Sequence, residues 1–181
     1  MLAASHVAAF DSLRAGLACH GPVPHLDPCD GGNRARVLIL LETPGPGVAA
    51  IRFVSRDNRT GTAANLRRFC AAAGLRREDT VLWNAVPWIV HEAGSRNRPL
   101  HRAEITEGLA ALPAFLALLP NLQAAVLAGR VAQQAARVVA TACPDAAIFT
   151  MPHPSPIYVN TAPSISGVIC GVLRQAAEAL R

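Results

Sequence analysis

Apolar positions along this chain follow two alternating rhythms. Residues 37–41, VLILL, contain no polar position at all. An unbroken run of that length reads as a strand buried on both faces, because a half-exposed strand would alternate. Similar short runs fall at 80–83, 124–128 and 146–150. Between them, apolar residues recur every three or four positions, the spacing of one helical face. One such helix spans residues 5–18 on Val7, Phe10 and Leu17, with Ser5 as a candidate cap. The next opens at Thr62, carries Leu66, Phe69, Cys70 and Ala73, and stops at Gly74. A third carries Ile105, Leu109, Leu112, Leu116 and Leu119, with Pro113 expected to bend it. A fourth runs from Arg130 to about Thr141, and the last, capped by Ser164, carries Ile165, Val168, Ile169, Val172 and Ala176. Residues 19–36 and 48–60 have neither rhythm. The first stretch, rich in Pro, Gly, His and Asp, reads as a long surface loop, and the second as irregular and basic. Four buried strands alternating with helices predict a three-layer α/β/α sandwich around a central four-stranded parallel sheet, contained in one domain, residues 1–181.

In such a sheet every strand's carboxyl end lies on one edge, and ligands bind along that edge. The first strand stops at Glu42, followed by Thr43-Pro44-Gly45-Pro46-Gly47, a loop too rich in Pro and Gly for sheet or helix. The second runs into Asn84, the third into Gly129, the fourth into His153. A carboxylate, an amide and an imidazole are thus expected to converge, although they are far apart in sequence.

Composition narrows the partners. The 181 residues carry a net charge of +5 with pI about 9.5, almost wholly from arginine, which suits an anionic partner such as nucleic acid. No run of eighteen apolar residues suggests a membrane span, and the first ten residues lack the form of a signal peptide, so a soluble, cytoplasmic protein is expected. The five cysteines form no CxxC pair and read as reduced, buried thiols. There is no GxGxxG and no GxxxxGK[ST], which argues against dinucleotide and nucleoside-triphosphate enzymes, and no His/Cys cluster with metal spacing. Ser155 lies between two prolines, outside any GxSxG elbow.

Five elements in order then resemble the uracil-DNA glycosylase superfamily. Leu41-Glu42-Thr43-Pro44-Gly45 is similar to the GEAPG motif of its iron–sulfur branch, and Phe53-Val54-Ser55-Arg56 to that branch's FVGR. Asn84-Ala85-Val86 resembles the start of NAVKC, with Asn97-Arg98-Pro99 downstream. Ala128-Gly129-Arg130 resembles LGR, and His153-Pro154-Ser155-Pro156 matches HPSP. The resemblance implies a monofunctional glycosylase that flips uracil from DNA and hydrolyses its N-glycosidic bond. It makes Glu42 and His153 the catalytic residues: Glu42 for the attacking water and the sugar cation, His153 for a hydrogen bond to uracil O2. It places Thr43, Phe53 and Asn84 in the uracil pocket, with Phe53 stacked on the ring and Asn84 bonded to N3–H and O4. Ser155 falls to flanking phosphates and Ile157 or Tyr158 to a wedge in the vacated stack. Arg56, with Arg59, Arg96 and Arg98, falls to the DNA backbone.

The chain departs from the branch in two ways. Trp88 stands where NAVKC has its cysteine, and Cys19 and Cys29 are too far apart for the branch's N-terminal pair, so no cluster, metal or other cofactor is expected. Gly45 stands where another branch has the tyrosine that refuses the thymine methyl, which leaves Pro46 or Val48 to crowd that position. The expected partner is uracil-containing DNA, with no membrane, and the expected state is a monomer. A non-catalytic lesion-binding relative and a nucleoside hydrolase are the alternatives. Glu42 and His153 argue against the first, basic charge and the wedge position against the second.

Overall fold

A computed structural model of the chain describes residues 5–95 and 97–180. Its elements are helix α1 (Ser5–Leu17), strands β1 (His25–Leu26), β2 (Val37–Leu41) and β3 (Phe53–Val54), helix α2 (Gly61–Ala72), strand β4 (Thr80–Asn84), helix α3 (Arg102–Leu116), strand β5 (Ala124–Ala128), helices α4 (Arg130–Gln133) and α5 (Ala136–Ala142), strand β6 (Ala147–Met151), and helices α6 (Pro156–Val159) and α7 (Pro163–Glu178). The main sheet is parallel throughout, in the order β4-β2-β5-β6.

The strands are apolar on both sides because both sides are covered. Leu38 and Leu40 of β2 pack with Val81 and Trp83 of β4 and Leu127 of β5 against Phe10 of α1, Leu112 and Phe115 of α3 and Val139 of α5. The alternate residues Val37 and Ile39 pack with Leu82 and Val126 against Leu66 and Phe69 of α2 and Ile169 and Leu173 of α7. The expected three-layer sandwich is the observed one. The Trp83 indole stacks on the Phe115 ring at 4.4 Å, which closes the first layer under β4.

Several local expectations give way to tertiary contacts. The second strand continues through Asn84, which pairs with Leu41. Helix α2 is capped by Thr60, not Thr62: its Oγ1 accepts from the Ala63 N–H at 3.2 Å. The last helix starts at Pro163, whose fixed φ suits a first helical position, and Ser164 lies inside it. The helix expected after β5 breaks into α4 and α5, where Gln134 and Ala135 donate to residues three back and tighten the turn.

Residues 19–36 are not a surface loop. They contribute β1, which pairs in parallel with β3 (His25 opposite Phe53), and they bury Val23, Leu26, Asp27 and Asp30. Of the cysteines read as buried, Cys19 and Cys29 are exposed. No described helix is long and apolar enough to cross a membrane.

Candidate active site on the carboxyl edge of the sheet

The strand order sets the site. The chain leaves β2 for β4 on one side and then crosses to β5 on the other, so the crevice at the carboxyl end of β2 is a topological switch point. Asn84, Glu42, Gly129 and His153 occupy successive strand ends along this edge. Leu41 pairs with Asn84, and the Glu42 carbonyl accepts from the Val86 N–H at 3.0 Å. On the far side Ala128 pairs with Met151, and the Gly129 N–H donates to the Met151 carbonyl at 2.9 Å. Two strand spacings, about 10 Å, thus separate the backbones at Glu42 and His153.

Asn84 is 3% exposed, and its carboxamide has no hydrogen-bond partner among the described residues. Its amide atoms are not among the fully enclosed polar atoms that lack a partner, so they stay open to solvent or a ligand at the strand end. Glu42 is half-buried and has no ion pair within 4.0 Å among the described residues. Burial pushes its carboxyl above the ordinary glutamate range, and the nearby charge of Arg130 pulls it partly back. Arg130 follows Gly129 at the end of β5, the strand beside β2. In the sequence it showed as the last residue of Ala128-Gly129-Arg130, the stretch similar to LGR, with no sign that it would face Glu42.

His153 owes its position to Gly129. At φ +87° Gly129 adopts a conformation that side chains rarely accept, and a Cβ there would stand 3.0 Å from the His153 Cβ. The Ser155 N–H donates to His153 Nδ1 at 3.2 Å. That bond fixes the tautomer: the neutral ring carries its proton on Nε2. Burial holds the imidazole below its ordinary pKa, so it is neutral at pH 7. The turn after it is anchored from α2, where Asn65 Nδ2 donates to the Pro154 carbonyl at 2.9 Å. Nothing in the sequence pointed to Asn65.

The remaining expected residues divide. Thr43 Oγ1 donates to the Trp88 carbonyl at 3.3 Å and ties the loop after β2 to the loop after β4. Phe53 is half-buried in β3, its ring 5.8 Å from that of His25. Ser155 is half-buried, its carbonyl accepting from Tyr158 and Val159 at the start of α6. Ile157 and Tyr158 are exposed, Ile157 by 80%.

Arg56 requires a correction. It is 4% exposed, donates to Thr80 Oγ1 and lies 3.7 Å from Asp30. Pairing of β3 with β1 turns Ser55 and Arg56 inward onto Asp27 and Asp30, where Arg77 also contacts Asp27, Asp30 and the exposed Asp57. A guanidinium buried there cannot reach a DNA phosphate. Arg98 is held by Glu104 on the surface, Arg59 is exposed, and Arg96 lies outside the described residues. Val48 is 78% exposed, so it does not line a closed pocket.

Trp88, buried and stacked on His20 at 4.6 Å, carries no metal-ligating atom. No group of three or more His, Cys, Asp or Glu among the described residues is placed to hold a metal ion.

The fold is that of a doubly wound α/β protein, with a carboxylate, a histidine and an amide at neighbouring strand ends on one edge. The family model of the Uracil DNA glycosylase superfamily matches residues 29–167, and the chain belongs to that superfamily. No curated protein matches it. Membership implies DNA glycosylase activity in general, with DNA as the partner and repair as the setting.

Proposed function

We propose that the protein is a monofunctional uracil-DNA glycosylase, a cytoplasmic single-domain monomer that works without metal or cofactor. The observation that carries the reading is Asn84, at a strand end beside Glu42, whose carboxamide has no hydrogen-bond partner among the described residues and is open at that edge. An amide supplies one acceptor and donors on one face. That face complements the N3–H and O4 of uracil, whereas cytosine offers the opposite pattern. Phe53 stacks on the flipped ring, and Thr43 holds the wall of the pocket by its bond to Trp88.

As the N1–C1′ bond breaks, its electron pair passes to the uracil ring and the sugar becomes cationic. The Nε2–H of His153 donates to uracil O2 and stabilises the growing negative charge. A preorganised donor of this kind is worth about 10²–10³ in rate. The Glu42 carboxylate stabilises the sugar cation and orients the water whose oxygen bonds to C1′, taking up the proton that the water releases. Ile157 fills the vacated stack, Tyr158 supports it, and Ser155 meets a flanking phosphate.

The test is incubation with single- and double-stranded uracil-DNA, a thymine-mismatch duplex and free deoxyuridine, followed by alkali. Strand breaks at uracil are expected in the first two, and their absence on every DNA would reject the reading. Loss of activity in Glu42→Gln is expected; unchanged turnover would mean that another group handles the water.

A further inference from the structure

The loop after β2 does more than carry Glu42. Residues 47–51, Gly-Val-Ala-Ala-Ile, are all exposed, Val48 by 78% and Ile51 by 58%. No charged residue lies between Glu42 and Arg52. A run of this length without a polar side chain, left in water, ordinarily marks a contact surface. The run is also braced. The Gly94 N–H donates to the Pro46 carbonyl at 2.8 Å, the Gly47 N–H to the Gly45 carbonyl at 3.0 Å, and Arg52 to the Gly45 carbonyl. The Arg52 guanidinium is thereby held beside Gly45 and Gly47 at the base of the run, and residues 47–51 themselves carry no charge.

Four of the five large exposed apolar side chains of the described residues belong to two loops on the site's edge: Val48 and Ile51 after β2, Ile157 and Tyr158 after β6. Strand β5 lies between them. The two segments therefore leave the sheet on opposite sides of the β5 strand end, from strand ends about 10 Å apart. Phosphates would be met by cations; the Arg52 guanidinium is tied to the Gly45 carbonyl at the base of the run, and residues 48–51 beyond it are aliphatic. What suits an uncharged aliphatic tip is the wall of a groove, made of deoxyribose and base edges.

We infer that residues 47–51 form a second apolar contact on double-stranded DNA, seating Val48 and Ile51 in the groove on the flank of the lesion opposite Ile157. The inference rests on the glycosylase reading for the position of the lesion. It implies that a duplex is gripped at two places and a single strand at one.

The test compares wild type with the Val48→Ser/Ile51→Ser variant. Fluorescence anisotropy gives Kd for a duplex carrying a tetrahydrofuran abasic site and for the same single strand, over a range of salt. The variant should bind the duplex about tenfold or more weakly, the loss expected for one buried aliphatic side chain. Its single-strand Kd and its excision of uracil from single strands should match wild type. The slope of log Kd against log salt should also be unchanged, since no phosphate contact is removed. An unchanged duplex Kd, an equal loss on both substrates, or a reduced salt slope would each overturn the inference. So would a wild-type dimer in sedimentation that the variant dissociates while still binding the duplex normally, because the patch would then serve self-association. These measurements do not require excision, so a wild-type protein that releases no uracil would sink the glycosylase reading and leave the loop tested.

Discussion

Substitution of Gly61 by alanine tests how the His153 turn is held. Gly61 opens α2, and a Cβ built on it would stand 2.3 Å from Pro156 Cγ and 3.1 Å from Cδ. Ordinary carbon contacts begin at about 3.5 Å, so the helix start and Pro156 must separate by roughly 1.2 Å. The gap cannot open by a side-chain rotation, because the obstacle is a proline ring that begins α6. The Asn65 bond to the Pro154 carbonyl ties the same two pieces together one helical turn later. The displacement must therefore pass into residues 153–156. A misplacement of about 1 Å at a reacting group costs on the order of 10²-fold in rate. Overpacking costs about 1–3 kcal/mol of stability, partly offset by the better helix propensity of alanine. Single-turnover excision of uracil should thus fall about 10²-fold, with a lower Tm. Gly167 of α7, with nothing within 4 Å of its would-be Cβ, is the control. Alanine there should raise stability by up to about 1 kcal/mol and leave the rate alone. A Gly61→Ala protein with wild-type rate and Tm would refute the claim that α2 registers the histidine turn.

Asn84→Asp should lower uracil excision by at least about 10²-fold, since a carboxylate can only accept where N3–H and O4 need both roles; full activity would remove Asn84 from the pocket. The acid limb of kcat/KM should lie above the ordinary glutamate pKa, because burial raises Glu42 and only its anion is active. Arg130→Gln should move that limb further up while Arg130→Lys restores it, and an unmoved limb would show that Arg130 does not act on Glu42. On the alkaline side His153 is already neutral, so activity should stay level through pH 7–8; a fall there would mean that the imidazolium is the active form. Hydrogen bonds from Arg98 and from the His101 N–H hold Glu104 down at about 2. Because that lies below its unfolded value near 4.3, the contribution is full above pH ~4.3 and is lost as pH falls through 2. Unfolding curves of Glu104→Ala should converge on those of wild type in acid, and a constant difference would contradict the assignment.

The sequence by itself determined the sheet and the polar ends of its strands. A parallel strand covered on both faces is apolar along its length, so VLILL stood out without partners, and its three mostly apolar counterparts followed from the same short runs. Parallel direction then put Glu42, Asn84 and His153 on one edge. Four strand runs and the motif resemblance were also enough to indicate the superfamily. What only the tertiary structure decided are meetings between polar or small residues distant in the chain, which leave no periodic trace. The β1–β3 pair turned Arg56 from a surface cation into a buried partner of Asp30. The strand order placed Arg130 beside Glu42, and Gly129 and Gly61 matter only because His153 and Pro156 come within contact of them. The apolar run 47–51 could be read from the sequence as hydrophobic, but its exposure could not, because burial depends on whether another element is close enough to cover it, and none does.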